Sequence, residues 1–172
     1  MDIRNLSDDI VKRARRVKLL LVDCDGVLTD GKLYYSAQGE STKVFHVRDG
    51  QGLAMWHQAG FESGIISGRR SEIVNVRATE LGMRYTKTGS HDKTKDLKDI
   101  LRIADVRLEE VAFVGDDIPD ICVLEKVGFP VTTADCVLEV TPFVIYKTSV
   151  AGGWGAVREV IDLLLSCKKE VD

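Results

Sequence analysis

The sequence predicts an α/β domain built on a doubly wound parallel sheet, on three observations. Aliphatic runs without polar alternation, at 18–23, 62–67 and 111–115, read as strands buried on both faces. Helix-like stretches separate these runs, so that strand and helix alternate along the chain. No Pro/Ser/Gly-rich linker and no internal repeat interrupts the alternation, which predicts one domain over residues 1–172 with a core of its own.

The elements follow in order. Ser7 with Asp8 and Asp9 opens a helix through about Arg16, because a hydroxyl and acids satisfy the free amides of a first turn. The run 18–23 is the first central strand. Segments 33–36 and 43–47, rich in Tyr, Val and Phe, flank a turn at 37–40 and predict a small antiparallel ribbon. A helix at 50–58 with Asp49 as its N-cap, a strand at 62–67, a helix at 71–81, a strand at 84–85 and a helix at 94–104 come next. A strand at 111–115, a helix at 118–127, strands at 129–131 and 143–146, and a helix at 156–166 complete the chain.

Composition narrows the function. The 44% hydrophobic and 30% charged fractions are those of a globular protein. Twenty-four basic against 27 acidic residues leave a formal charge of −3, so there is no positive field for a nucleic acid backbone or an anionic membrane, and neither partner is expected. The first nine residues are too polar for a signal segment, and no apolar stretch approaches the roughly 20 residues that span a bilayer. A cytoplasmic location is expected. Cys24, Cys122, Cys136 and Cys167 have no C-x-x-C spacing, and Cys24 lies between two acids that oppose a thiolate; all four are expected to be reduced, without zinc.

Ligands of such sheets sit beyond the carboxyl ends of the strands, and those ends are unusually polar here. The first strand closes on Asp23-Cys24-Asp25-Gly26, the second on Ser67-Gly68-Arg69, a later one on Asp116-Asp117, and Lys93 heads the helix before it. Singly, each group has an ordinary explanation: Asp117 and Asp120 read equally as a turn and a helix N-cap, and Lys93 as a surface lysine. Together they predict one edge carrying several carboxylates, a hydroxyl and an ammonium. Clustered carboxylates resist ionising together, so a hard cation is implied, and oxygen-only ligands favour Mg²⁺. Asp23 and Asp116 would supply carboxylate oxygens to it, and Asp25 its backbone carbonyl. Asp23 is then the expected nucleophile toward phosphorus. Asp25, starting protonated, would serve as general acid and then base, with Ser67 and Lys93 holding the phosphoryl oxygens.

These residues resemble the haloacid dehalogenase-like phosphohydrolases, whose four motifs stand in order at Asp23-x-Asp25-Gly26-Val27, Ser67, Lys93 and Gly115-Asp116-Asp117. The resemblance extends to the branch of 3-deoxy-D-manno-octulosonate (KDO) 8-phosphate phosphatases. It does so through Asp-x-Asp-Gly-Val-Leu-Thr-Asp-Gly at 23–31, Arg48-Asp49-Gly50-x-Gly52, Ile65-Ile66-x-Gly68-Arg69, Gly115-Asp116-Asp117-Ile118-x-Asp120 and the glycine-rich stretch 151–159. It implies a Rossmann-like, capless fold in which the hairpin 31–47 forms a small flap. It also implies a Mg²⁺-dependent phosphatase that releases phosphate from KDO 8-phosphate in lipopolysaccharide precursor synthesis, through an aspartyl-phosphate. By the same resemblance the enzyme is a homotetramer in which a neighbouring subunit partly closes each site, and the glycine-rich segment 151–155 resembles the part that reaches across. His46, Val47, Arg48, Asp49, Gly50, Gly68, Arg69, Arg77 and Lys93, with Asp25, look like the substrate-contacting positions. Two departures bear on substrate choice: Ala54 and Trp154 stand where the family pattern usually has basic or polar residues, and a nine-carbon keto sugar acid 9-phosphate or another sugar phosphate is the alternative. A receiver domain would place its lysine last, whereas Lys93 precedes the final acids. A non-catalytic oligomerisation module tends to lose the catalytic residues, which this chain keeps.

Overall fold

The computed structural model describes residues 6–169. Six parallel strands form one sheet in the order β5 (Tyr85–Thr88), β4 (Glu62–Ser67), β1 (Leu19–Val22), β6 (Val111–Val114), β7 (Phe129–Thr132) and β8 (Tyr146–Lys147). A separate antiparallel pair joins β2 (Tyr34–Ser36) to β3 (Gly39–Thr42). The helices are α1 (Asp8–Arg16), α2 (Val47–Gln58), α3 (Glu72–Glu80), α4 (Lys93–Ala104), α5 (Ile121–Leu124) and α6 (Ala156–Lys169).

The unbroken apolar runs are explained by what lies on either side of the sheet. Leu20 and Val22 of β1 pack into a core with Leu53, Trp56, Ala78, Val157 and Leu164, from α2, α3 and α6. Leu19 and Leu21 point the other way, onto Leu97, Ile100, Val123 and Leu124 of α4 and α5. The β6 strand divides likewise, Ala112 and Val114 to the first core, Val111 and Phe113 to the second. Truncating Phe113, fully buried at the centre of the sheet, would cost about 3–5 kcal/mol.

The chain winds from β1 outward to β4 and β5, then returns to the other side of β1 with β6. The order reverses between β1 and β6, and the crevice of a doubly wound sheet opens there, beyond the strands' carboxyl ends. The strands are in register, Leu19 beside Val111 and Val22 beside Val114, and Asp23 N donates to Val114 O at 2.9 Å.

Several elements differ from the sequence reading. The second hairpin strand is Gly39–Thr42 rather than 43–47: Gly39, at φ +111°, admits a tight turn at Ala37-Gln38, which pulls the pairing forward. The helix expected at 50–58 begins at Val47, and its N-cap is His46, whose Nδ1 accepts from Arg48 N at 3.2 Å; Asp49 sits inside the first turn. The strand expected at 84–85 is Tyr85–Thr88. The helix expected at 118–127 is a 3₁₀ turn, Ile118–Asp120, running into the four-residue α5. Of the strand expected at 143–146, only Tyr146 lies in a strand, the short β8; Phe143 closes a 3₁₀ segment, Leu138–Phe143, whose interior Pro142 lacks the amide a ladder needs. The residues read against a signal segment lie partly outside the described ones, which start at residue 6.

Candidate active site

Asp23 follows β1 directly and Asp116 stands two residues beyond β6, so adjacent central strands deliver both acids to one place. Between them runs the loop from Cys24, whose carbonyl accepts from the amides of Val27, Leu28 and Thr29. Gly26, at φ +88°, is required there: a Cβ would come within 2.0 Å of Asp116 Oδ2.

Asp120 completes the cluster. Oxygens of Asp23, Asp116 and Asp120 lie within 4.8 Å of one another. Asp120 Oδ2 accepts from the amides of Asp116 at 3.0 Å and Asp117 at 3.3 Å, and its Oδ1 accepts from Lys93 Nζ at 2.7 Å. Lys93 also donates to Asp23 Oδ1 at 3.0 Å. Lys93 is buried although it opens α4, which Asp92 caps one residue earlier, its carboxylate accepting from Lys95 N at 3.0 Å.

One buried ammonium faces three carboxyls, and the imbalance shows in their acidities. Burial, with repulsion from Asp23, Asp120 and Asp117, pushes the Asp116 carboxyl up to about 8. Burial and the nearby Asp120 push Asp23 up to about 6, against the pull of Lys93. Asp116 Oδ1 is buried without a hydrogen-bond partner. Close carboxylates, oxygen donors only, and an orphaned oxygen fit a hard divalent cation.

Asp25 is not part of that trio. Lys43 Nζ contacts its Oδ1, and Arg69 Nε lies 3.3 Å from its Oδ2. Ser67, the last residue of β4, is buried, and Gly68 and Arg69 turn outward from it. The remaining expected contact residues are dispersed. Val47 is exposed, and Arg48 lines a cavity of about 670 Å³ with Tyr146, Ser149, Arg158, Glu159 and Asp162. Asp49 is buried, its Oδ1 accepting from Arg158 N at 2.8 Å at the start of α6. Gly50 lies against Arg77, which pairs with Glu80 at 2.9 Å and lines another cavity of about 470 Å³ with Lys43, Phe45 and Val47. Neither cavity contains the three carboxylates in its walls. The glycine-rich segment packs on its own chain's loop, Gly153 N donating to Val27 O at 3.0 Å, while Trp154 beside it is exposed.

Sequence reasoning missed two residues. Asp120 was legible only as a turn or cap, because its contact with Lys93 spans 27 positions. Lys43 carries no local signal at all: a lysine beside an exposed ribbon is ordinarily solvated, yet this one is buried against Asp25 and Glu40.

No family model matches the chain. The 3-deoxy-D-manno-octulosonate 8-phosphate phosphatase KdsC of Escherichia coli (strain K12) is 41% identical over 167 residues, 97% of this chain and 89% of the relative. The same-named protein of Yersinia pestis is 38% identical over 97% and 89% of the two chains. The crystal structure of the Yersinia pestis phosphatase matches with a TM-score of 0.93 at 38% identity, covering 96% of this chain and 90% of that one. The phosphatase of Moraxella catarrhalis, solved with a magnesium ion, a phosphate ion and a KDO molecule, matches at TM-score 0.91 and 36% identity over 94% and 93% of the two chains. With this identity running through a shared fold from end to end, the chain belongs to the 3-deoxy-D-manno-octulosonate 8-phosphate phosphatase family of the haloacid dehalogenase superfamily.

Proposed function

We propose that this chain is a Mg²⁺-dependent phosphomonoesterase that hydrolyses 3-deoxy-D-manno-octulosonate 8-phosphate to the free sugar acid and phosphate. The observation that carries the reading is the convergence of Asp23, Asp116 and Asp120 around one point, with Lys93 bridging two of them. Asp23 and Asp116 would hold the cation with the Asp25 carbonyl, and Asp120 adds a third carboxylate. When bound, the ion neutralises the acids and the approaching phosphate and polarises the phosphoryl group.

The chain's own residues do the rest. An Asp23 oxygen attacks phosphorus, and the bond from phosphorus to the sugar oxygen breaks. Asp25 gives that oxygen a proton. It then takes one from the water that attacks the aspartyl-phosphate, so that phosphate leaves and Asp23 is restored. Ser67 and Lys93 hold the equatorial oxygens as charge redistributes, and Arg69, with Gly68, stands at the mouth for the substrate. His46, Val47, Arg48, Asp49, Gly50 and Arg77 belong to the sugar-acid side of this proposal, supported by the family pattern and by Arg48 lining one cavity and Val47 and Arg77 the other.

The same proposal includes one domain, a homotetramer and a cytoplasmic location. Exposed Leu33, Tyr34, Tyr35, Val44 and Val47 cluster on and beside the hairpin, an apolar surface suited to subunit contact. The four free cysteines fit a reducing compartment, and among the described residues no helix is long and apolar enough to cross a membrane.

Phosphate release across a panel of sugar-acid and hexose phosphates, with Mg²⁺ or with EDTA, tests the reading. KDO 8-phosphate is expected to turn over fastest and EDTA to abolish turnover; equal rates on hexose phosphates would remove the substrate assignment and leave the chemistry. Asp23→Asn is expected to fold and to form no phosphoenzyme. Retained turnover would remove Asp23 from its role.

A further inference from the structure

Lys43 is the least expected residue near the site. The hairpin it follows is solvent-facing, every residue of β2 being exposed, yet the Lys43 side chain is 1% exposed. Burying an ammonium is costly unless charged partners surround it. Lys43 has two: it contacts Asp25 Oδ1 and lies 3.1 Å from Glu40 Oε1. Glu40 is held in turn by the hydroxyl of Ser71, the N-cap of α3. On the far side of Asp25, Arg69 pairs with Oδ2 and donates through Nη1 to the Tyr35 hydroxyl at 3.1 Å. Glu40, Lys43, Asp25 and Arg69 thus form a chain of ion pairs drawn from the loop after β1, the hairpin and the loop after β4. A chain that served only to fasten the hairpin could use any surface acid, whereas this one uses Asp25.

We propose that Lys43 is a positioning residue for the hydrolytic half of the reaction. With Glu40 as its counter-charge, it fixes the carboxylate of Asp25 where the water that cleaves the aspartyl-phosphate must give up its proton. The inference rests on the acid–base role given to Asp25 above. Arg69 is exposed, while Lys43 is walled in, so Lys43 keeps Asp25 oriented after the sugar has left. The proton passes from water to the Asp25 carboxylate as the water oxygen bonds to phosphorus and the bond from phosphorus to Asp23 breaks; Lys43 exchanges no atom.

The test uses the full chain loaded with Mg²⁺ and 4-nitrophenyl phosphate, whose leaving group departs without an acid. Lys43→Met is expected to release nitrophenolate in a burst stoichiometric with enzyme, followed by a steady rate about 10–100-fold below that of the unaltered protein, with KM changed by less than about threefold. Lys43→Arg is expected to recover part of the rate. A Lys43→Met rate equal to that of the unaltered protein, or a loss confined to KM, overturns the proposal. Should Lys43→Met lose its native circular dichroism, Lys43→Met combined with Glu40→Gln removes the stranded counter-charge, and the same burst is expected of it; a folded double variant without the burst overturns the proposal. Asp25→Asn runs in parallel: if it retains full activity, the acid–base reading itself fails, whereas an inactive Asp25→Asn beside an unimpaired Lys43→Met removes only the role given to Lys43.

Discussion

Gly152 lies so close to the carbonyl of Gly26 that a Cβ at position 152 would come within 1.8 Å of that oxygen. The contact joins the segment before α6 to the loop that carries Asp25. It is supported by Gly152 N donating to Asp135 Oδ1 at 2.9 Å.

Gly152→Ala is therefore expected to push the 24–30 loop aside without unfolding the sheet. A displacement of about 1 Å at reacting groups can cost about 100-fold in rate, and overpacking typically costs about 1–3 kcal/mol. Steady-state kinetics beside a thermal melt checks it: kcat should fall far more than the melting shift explains.

Lys93→Met strands Asp23 and Asp120 without the ammonium that now bridges them at 3.0 and 2.7 Å. Removing one partner from a buried ionic group costs about 3–5 kcal/mol. Denaturant unfolding in EDTA should show that loss, and turnover should fall at least about 100-fold even in saturating Mg²⁺.

Asp120→Asn keeps shape and removes charge from a residue that both faces the ion site and holds Lys93. A fall of about 10–100-fold in Mg²⁺ affinity is expected, measured by calorimetric titration. Asp117→Asn should change it little: Asp117 Oδ1 is committed to the amide of Ile118 at 2.7 Å.

Stability should depend on pH in a direction set by the raised carboxyls. Asp116, ordinarily near 3.8, is pushed up to about 8 in the fold and Asp23 to about 6, so between these limits the folded chain holds protons that the unfolded chain has lost. Their contribution is full below the ordinary carboxyl range and disappears as pH rises through about 6 for Asp23 and about 8 for Asp116. The melting temperature of the EDTA-treated protein is expected to fall from about pH 5 to about pH 8 relative to Asp116→Asn, whose slope should be flatter. Saturating Mg²⁺ should stabilise most at the alkaline end, where the acids need no proton to be displaced.

The sheet was legible because its central strands are buried on both faces, leaving no room for polar residues inside 19–22 or 111–114. The strand ends were legible for the complementary reason, since acids there have no packing purpose. The hairpin register was misread because one glycine, Gly39, decides the turn, and the start of α2 because histidine is not an ordinary cap. Asp120 and Lys43 stayed hidden because their meaning lies in partners 27 and 18 positions away, a distance no local pattern spans.

Asp23 and Asp116 emerge from neighbouring strands paired residue for residue, and strands in a sheet stand about 4.8 Å apart. The spacing of the two acids thus inherits its width from the backbone ladder, the part of the molecule least able to drift. The residues proposed for the sugar-acid side sit at α2 and on α3, outside that ladder. Under the proposed function, a descendant of this chain could exchange one sugar acid for another by rewriting that periphery alone, with the acids at the strand ends handed down intact.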